Sequence, residues 1–136
     1  MTINYVAVVV AAIAGYAVGA LWYSPVLFGK VWMRLMEITP EKMEANKGKS
    51  MGKMYAIGFV GTLLMSYVLA HFVGMALVAD ISGALQLGFW LWLGFIATVL
   101  LGSVLYESRP WKLYFINAAH YLVALLVMAI ILGLWK

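Results

Sequence analysis

The chain has 136 residues, of which 66% are apolar and 10% charged, with a formal charge of +4 and no cysteine. Soluble domains carry about a quarter charged residues, so this composition excludes an ordinary soluble fold and points to an all-α integral membrane protein. The missing cysteines exclude disulfides, thiol redox chemistry, thiolate metal sites and iron–sulfur ligation. The cations lie between apolar segments rather than among stacking aromatics, which fits membrane topology and argues against nucleic acid.

The first apolar span covers about residues 3–23. A helix rises about 1.5 Å per residue, so a span of ~20 residues crosses the ~30 Å hydrocarbon layer. It has no basic leader, and it ends in Leu21-Trp22-Tyr23-Ser24-Pro25 rather than a small-residue cleavage site, so it reads as a retained span. Ala7, Ala11, Gly15 and Gly19 recur every fourth residue and form a stripe without bulk, where another helix backbone can come close. The partner is span two, through Gly58 and Gly61, or the same span of a second copy. The contact within one chain is favoured, because the four helices must first pack on one another.

The long connection after span one has order of its own. Ser24 and Pro25 suit an N-cap and a first-turn proline, and Lys30, Arg34 and Glu37 recur at i, i+4 and i+7 among apolar residues. This pattern predicts a short amphipathic helix over about 25–37, lying in the interface of the cytoplasmic leaflet. A second short helix is expected from Thr39 and Pro40 through Ala45, ended by Lys47-Gly48-Lys49-Ser50. Lys30, Arg34, Lys47 and Lys49 suit contact with anionic lipid, at about 1 kcal/mol per cation near the surface, although plain topology already accounts for them.

Span two covers about 54–73, and Asp80 and Ser82 suit the N-terminus of span three, about 84–106, which carries Gly88, Gly94 and Gly102. Glu107 and Arg109 are expected to pair and fix the next turn, or to form part of a cytoplasmic ion or lipid site. Pro110 then opens span four, about 113–135. None of the four spans contains Lys, Arg, Asp or Glu. Lys30, Arg34, Lys42, Lys47, Lys49 and Lys53 crowd the first connection, Arg109 and Lys112 lie in the third, and the second has no cation. The positive-inside rule therefore places connections one and three in the cytoplasm and both termini outside. Trp22, Tyr23, Trp32, Tyr55, Tyr106, Trp111 and Tyr114 gather near the inner boundary, as amphipathic rings do.

Polar groups inside spans are the functional candidates. Asn117, His120 and Tyr121 fall at i, i+3 and i+4 and share one face, which could line a path, hold a ligand or relay protons. Alternatively, they bond across helices to Ser66, Thr98 or Ser103. His71 and His120 differ in depth by roughly 15 Å, too far for one shared metal or haem, although His71 could meet Asp80 at the rim. No nucleophile–base pair, phosphate loop or carboxylate pair is visible, so the chain reads as no enzyme and as carrying no cofactor. Four helices leave little interior volume, and a solvated pathway is expected only between protomers.

Several motifs together resemble one family. Gly19-Ala20-Leu21-Trp22-Tyr23-Ser24-Pro25 with Phe28-Gly29 and Trp32 comes first. Gly88-Phe89-Trp90-Leu91-Trp92-Leu93-Gly94-Phe95 and Arg109-Pro110-Trp111-Lys112 with Ile116-Asn117-Ala118 follow in order. In these the chain resembles the small bacterial four-span membrane proteins of domain-of-unknown-function family seventeen-sixty-one. The resemblance implies a four-helix membrane fold and transfers no catalytic or binding residue. The expected function is a non-enzymatic protein that acts in the bilayer by helix packing, as a homo-oligomer or an accessory subunit among other membrane subunits. A transporter or channel for a small solute or ion, with its pathway near Asn117, His120 and Tyr121, is the alternative.

Overall fold

The computed structural model describes residues 2–39, 41 and 51–135. Its helices are α1 (Tyr5–Trp22), α2 (Gly29–Leu35), α3 (Met51–Met75), α4 (Ile81–Leu105) and α5 (Trp111–Leu134), with no strand among the described residues. Four of them, α1, α3 from Gly52, α4 and α5, are long and apolar enough to cross a membrane. The chain is therefore an all-helical, multi-pass membrane protein.

Local caps set the helix starts. Asn4 accepts the Ala7 N–H at 3.1 Å, and Asp80 accepts the Gly83 N–H at 2.8 Å. Ser82 is no cap; its hydroxyl oxygen accepts from Gln86 at 3.1 Å. Pro110 stands in extended conformation just before α5 rather than inside its first turn. Two helices end on non-glycine residues in the left-handed region, Glu37 (φ 59°) after α2 and Leu77 (φ 55°) after α3. At these ends Ile38 N–H reaches back to Met33 C=O and Val78 N–H to Val73 C=O, the 6→1 bonds of a Schellman ending.

The expected helix over 25–37 is shorter than its pattern suggested. Residues 24–28 form a tight turn, and α2 begins only at Gly29. Ser24 does not cap α2: its hydroxyl donates back to Leu21 C=O at 2.7 Å. The Ser24 carbonyl accepts from Leu27 and Gly29, and Phe28 N–H donates to Trp22 C=O at 3.0 Å. These bonds reverse the chain, and Gly29 is buried so tightly that a Cβ would strike the backbone of Tyr23 and Ser24. Lys30, Arg34 and Glu37 are exposed, as their spacing implied. The second short helix, beyond Thr39 and Glu41, falls outside the described residues, as do Lys42, Lys47 and Lys49.

Helix α5 is the centre of the bundle, packing on α1, α4, α3 and α2, while α1 also packs on α3. Within the most apolar stretch of each span, 39% of α5 is buried against 11% of α4, so α4 is the rim. The core joins Ala7, Val8 and Ala11 of α1 to Leu69, Val73, Ala84, Leu125, Met128, Ala129 and Leu132. The small-residue stripe of α1 is thus used within the chain, but against α5 rather than span two. A Cβ on Gly15 would lie 2.5 Å from Met128 Sδ, and one on Gly19 3.0 Å from His120 Nε2. Gly58 lies beside Tyr16 instead, and Gly61 has open space. The reason is depth: Met128, fully buried, needs the groove that a missing side chain leaves. Span two meets another edge of α1, where Ser66 Oγ donates to Val8 C=O at 2.8 Å and Tyr16 Oη to Tyr55 C=O at 2.9 Å.

Two indoles tie neighbours to the central helix. Trp22 of α1 donates to Ile116 C=O at 3.0 Å, and Trp92 of α4 donates to Ala118 C=O at 2.7 Å. Just past Trp92, α4 widens into a π turn over Leu93–Ala97. Widening leaves carbonyls without their usual partners, and side chains supply them: Tyr114 Oη donates to Ala97 C=O at 2.8 Å and Thr98 Oγ1 to Gly94 C=O at 2.7 Å.

Candidate functional site: a cleft beside His120

Between α1, α3 and α5 lies a cleft of about 610 Å³, where Gly15, Gly19 and Gly58 contribute no side chains. Its polar lining is Tyr16, Tyr23, Tyr55, Thr62, His120 and Tyr121, and Met65 and Met128 form apolar wall. A single chain thus carries a groove of ligand size on the side of its bundle. Ala20, Tyr55 and Gly58 on its border are exposed on the outside of the bundle, within or at the edge of apolar spans, so the cleft opens sideways.

The face formed by Asn117, His120 and Tyr121 divides in two. Asn117 Oδ1 accepts a hydrogen bond of 2.7 Å from Tyr23 Oη and does not line the cleft. Tyr23 stands one residue past α1, where burial first and Tyr121 second push its phenol above the ordinary value, so it remains a donor. His120 and Tyr121 do line the cleft. The His120 ring packs on Tyr121 at 4.6 Å, Tyr23 at 5.1 Å and Trp22 at 6.4 Å between centroids. Its Nδ1 is buried without a hydrogen-bond partner.

None of the three expected cross-helix partners meets this face. Ser66 bonds to α1, Thr98 to its own turn, and Ser103 to Leu100 C=O at 2.9 Å. Ser and Thr inside lipid-facing helices often satisfy themselves on the preceding turn, which leaves nothing for a neighbour. The partner that sequence reasoning missed, Tyr23, sits in the Leu-Trp-Tyr-Ser-Pro motif, and Tyr16 and Tyr55 gave no signal beyond their type.

The other candidates stay apart from the cleft. Glu107 and Arg109 do not form the expected pair: Ser108 between them takes a left-handed conformation (φ 56°), and the turn is held by Arg109 N–H on Ser103 C=O at 2.9 Å. His71 sets its edge against Tyr67 at 4.8 Å, while Asp80 is occupied as a cap, so the two do not meet. Lys30 and Arg34, with Glu37, border a shallow groove on α2. Among the described residues no three His, Cys, Asp or Glu side chains gather as metal ligands do.

A sequence model of the family described as protein of unknown function DUF1761 matches residues 6–133, and the chain belongs to that family. No curated protein matches the chain. No solved structure matches it either.

Proposed function

We propose that this chain is a non-enzymatic protein of a bacterial inner membrane that acts by helix contact, as a homo-oligomer or an accessory subunit of a larger assembly. Its termini face outward, and α2 lies along the cytoplasmic leaflet, where Lys30 and Arg34 meet anionic headgroups. The supporting observation is the bare backbone of the π turn in α4. Nothing beyond the backbone of its own helix turn and its chain neighbours comes within 4 Å of where a Gly94 Cβ would stand. Phe95 and Val99 nearby are 69% and 72% exposed, on the helix that its own bundle uses least. In lipid, association depends on close packing, and exposed glycine is where a second helix gains most from approach. Native mass spectrometry of the gently solubilised protein tests this. A species heavier than the 15.0 kDa chain is expected, and Gly94→Leu should dissociate it. A strictly monomeric protein that also cross-links to no partner in native membranes refutes the reading.

A second reading, a pathway for a small solute or ion, draws support from His120 and Tyr121 at the cleft of one chain. It predicts that His120→Ala alters flux into reconstituted vesicles far more than His71→Ala. Flux no higher than in empty vesicles, over a broad panel of ions and solutes, removes it.

A further inference from the structure

Of the hydrogen-bonding side chains that line the cleft beside His120, the fold leaves three unused: His120, Tyr121 and the outward-exposed Tyr55 hydroxyl. Tyr16 and Tyr23 spend their hydroxyls on Tyr55 C=O and Asn117. Among the described residues, neither Tyr121 nor the His120 ring has a hydrogen-bond partner, and the buried Nδ1 is the orphan. A neutral imidazole carries one N–H and one lone pair. Burying an unpaired N–H is the costlier choice, since orphaned donors are rarer in proteins than under-satisfied acceptors. The proton therefore belongs on Nε2, the nitrogen next to the bare Cα of Gly19, 3.0 Å from where a Cβ would be. That gives the cleft an N–H donor on His120, and the Tyr121 hydroxyl lines the same cleft.

What such a cleft selects follows from its lining. Among the described residues no charged side chain borders it, so a charged ligand would leave water without compensation and is disfavoured. Donors call for an acceptor on the ligand, and a carbonyl oxygen is the uncharged form of it. Tyrosine rings and the imidazole make flat, polarisable walls, which favour a planar ring over a flexible acyl chain. The volume, about 610 Å³, suits a single substituted ring and the start of a tail. The opening lies on the outside of the bundle, toward the bilayer, where a membrane-soluble molecule arrives.

We propose that the cleft between α1, α3 and α5 binds an uncharged, planar, carbonyl-bearing ring dissolved in the membrane, of the quinone type, with His120 Nε2–H and Tyr121 Oη as donors to its carbonyl. The site is complete within one chain and stands whether or not the protein assembles.

The test uses the full chain in lipid nanodiscs, titrated with decylubiquinone by calorimetry. Saturable binding near one per chain is expected. His120→Phe and Tyr121→Phe, which keep a ring in place, should each weaken binding about five- to tenfold, the worth of one hydrogen bond. Gly58→Leu should abolish binding by filling the cleft, and because a Cβ there meets only Tyr16 at 3.4 Å, the melting temperature should remain near that of the parent. Dioleoylglycerol supplies ester carbonyls without a ring and should fail to compete. Absence of saturable binding to the parent, binding unchanged by both Gly58→Leu and His120→Phe, or equal competition by dioleoylglycerol each overturns the assignment. An assembled protein that fails here leaves the packing role intact, and a monomer that binds leaves the cleft intact.

Discussion

Gly15→Ala tests which helix the small-residue stripe serves. The new methyl would stand 2.5 Å from Met128 Sδ and 3.0 Å from its Cγ, and Met128, fully buried, can give way only by shifting toward the cleft it walls. Overpacking of this kind costs about 1–3 kcal/mol. Replacing a mid-helix glycine by alanine returns about 0.5–1 kcal/mol through lower backbone entropy. The net expectation is a loss of about 0–2.5 kcal/mol, centred a little above 1, from the two effects together. Gly61 supplies the contrast, because nothing lies within 4 Å of its added Cβ, so Gly61→Ala should gain about 0.5–1 kcal/mol. Reversible unfolding in mixed micelles, followed by tryptophan fluorescence, measures both. Met128→Ala alone should lose about 2–5 kcal/mol, and combined with Gly15→Ala it should lose less than the sum, by about 1–2 kcal/mol, since the methyl then occupies vacated space. Strict additivity, or a stabilising Gly15→Ala, would mean that the stripe faces something other than α5.

Three further substitutions probe local devices. Leu77→Gly should stabilise by about 1 kcal/mol, because Leu77 holds φ 55° while 83% exposed, so relief of left-handed strain is set against little lost packing; an unchanged or lower melting temperature contradicts this. Gly29→Ala should destabilise by about 2–3 kcal/mol, since its Cβ would lie 2.7 Å from Ser24 C and strike the Tyr23 carbonyl, neither of which is a movable side-chain end; the readout is the unfolding midpoint. Tyr23→Phe should lose about 1–2 kcal/mol by stranding Asn117 Oδ1. Asn117→Leu in the Tyr23→Phe background should recover part of that loss in the same assay, as removing both partners is cheaper than removing one.

The capping residues show how far local chemistry carried. Asp80 was readable as a helix start because a carboxylate before an apolar run has one obvious use, and it accepts the Gly83 N–H as expected. The same logic misplaced Ser24, whose hydroxyl serves the end of α1. A serine followed by proline fits either side of a turn, and only the reversal of the chain at Gly29 decides between them. Glu107 and Arg109 were paired by charge and spacing, yet the turn between them, left-handed at Ser108, is held by a backbone bond instead. For the site, His120 and Tyr121 were legible as polar groups within a span, whereas Asn117 was grouped with them by helical spacing and belongs to Tyr23. The cleft itself was not legible, because it lies where three helices meet, and their mutual placement is a tertiary fact.

The sequence by itself determined that there are four spans, where they start and stop to within a few residues, and that α2 exposes its cations. Length against bilayer thickness and the cost of burying charge leave little choice in these matters. Only the tertiary structure decided that α5 stands at the centre, that Gly15 and Gly19 face Met128 and His120, and that α4 widens beside Trp92. The physical reason lies in the helices: apolar on every side, they carry no periodic signal of which face turns inward. Lipid is as apolar as the helix surface, so close fit and hydrogen bonds such as Trp22 to Ile116 and Trp92 to Ala118 choose the neighbours.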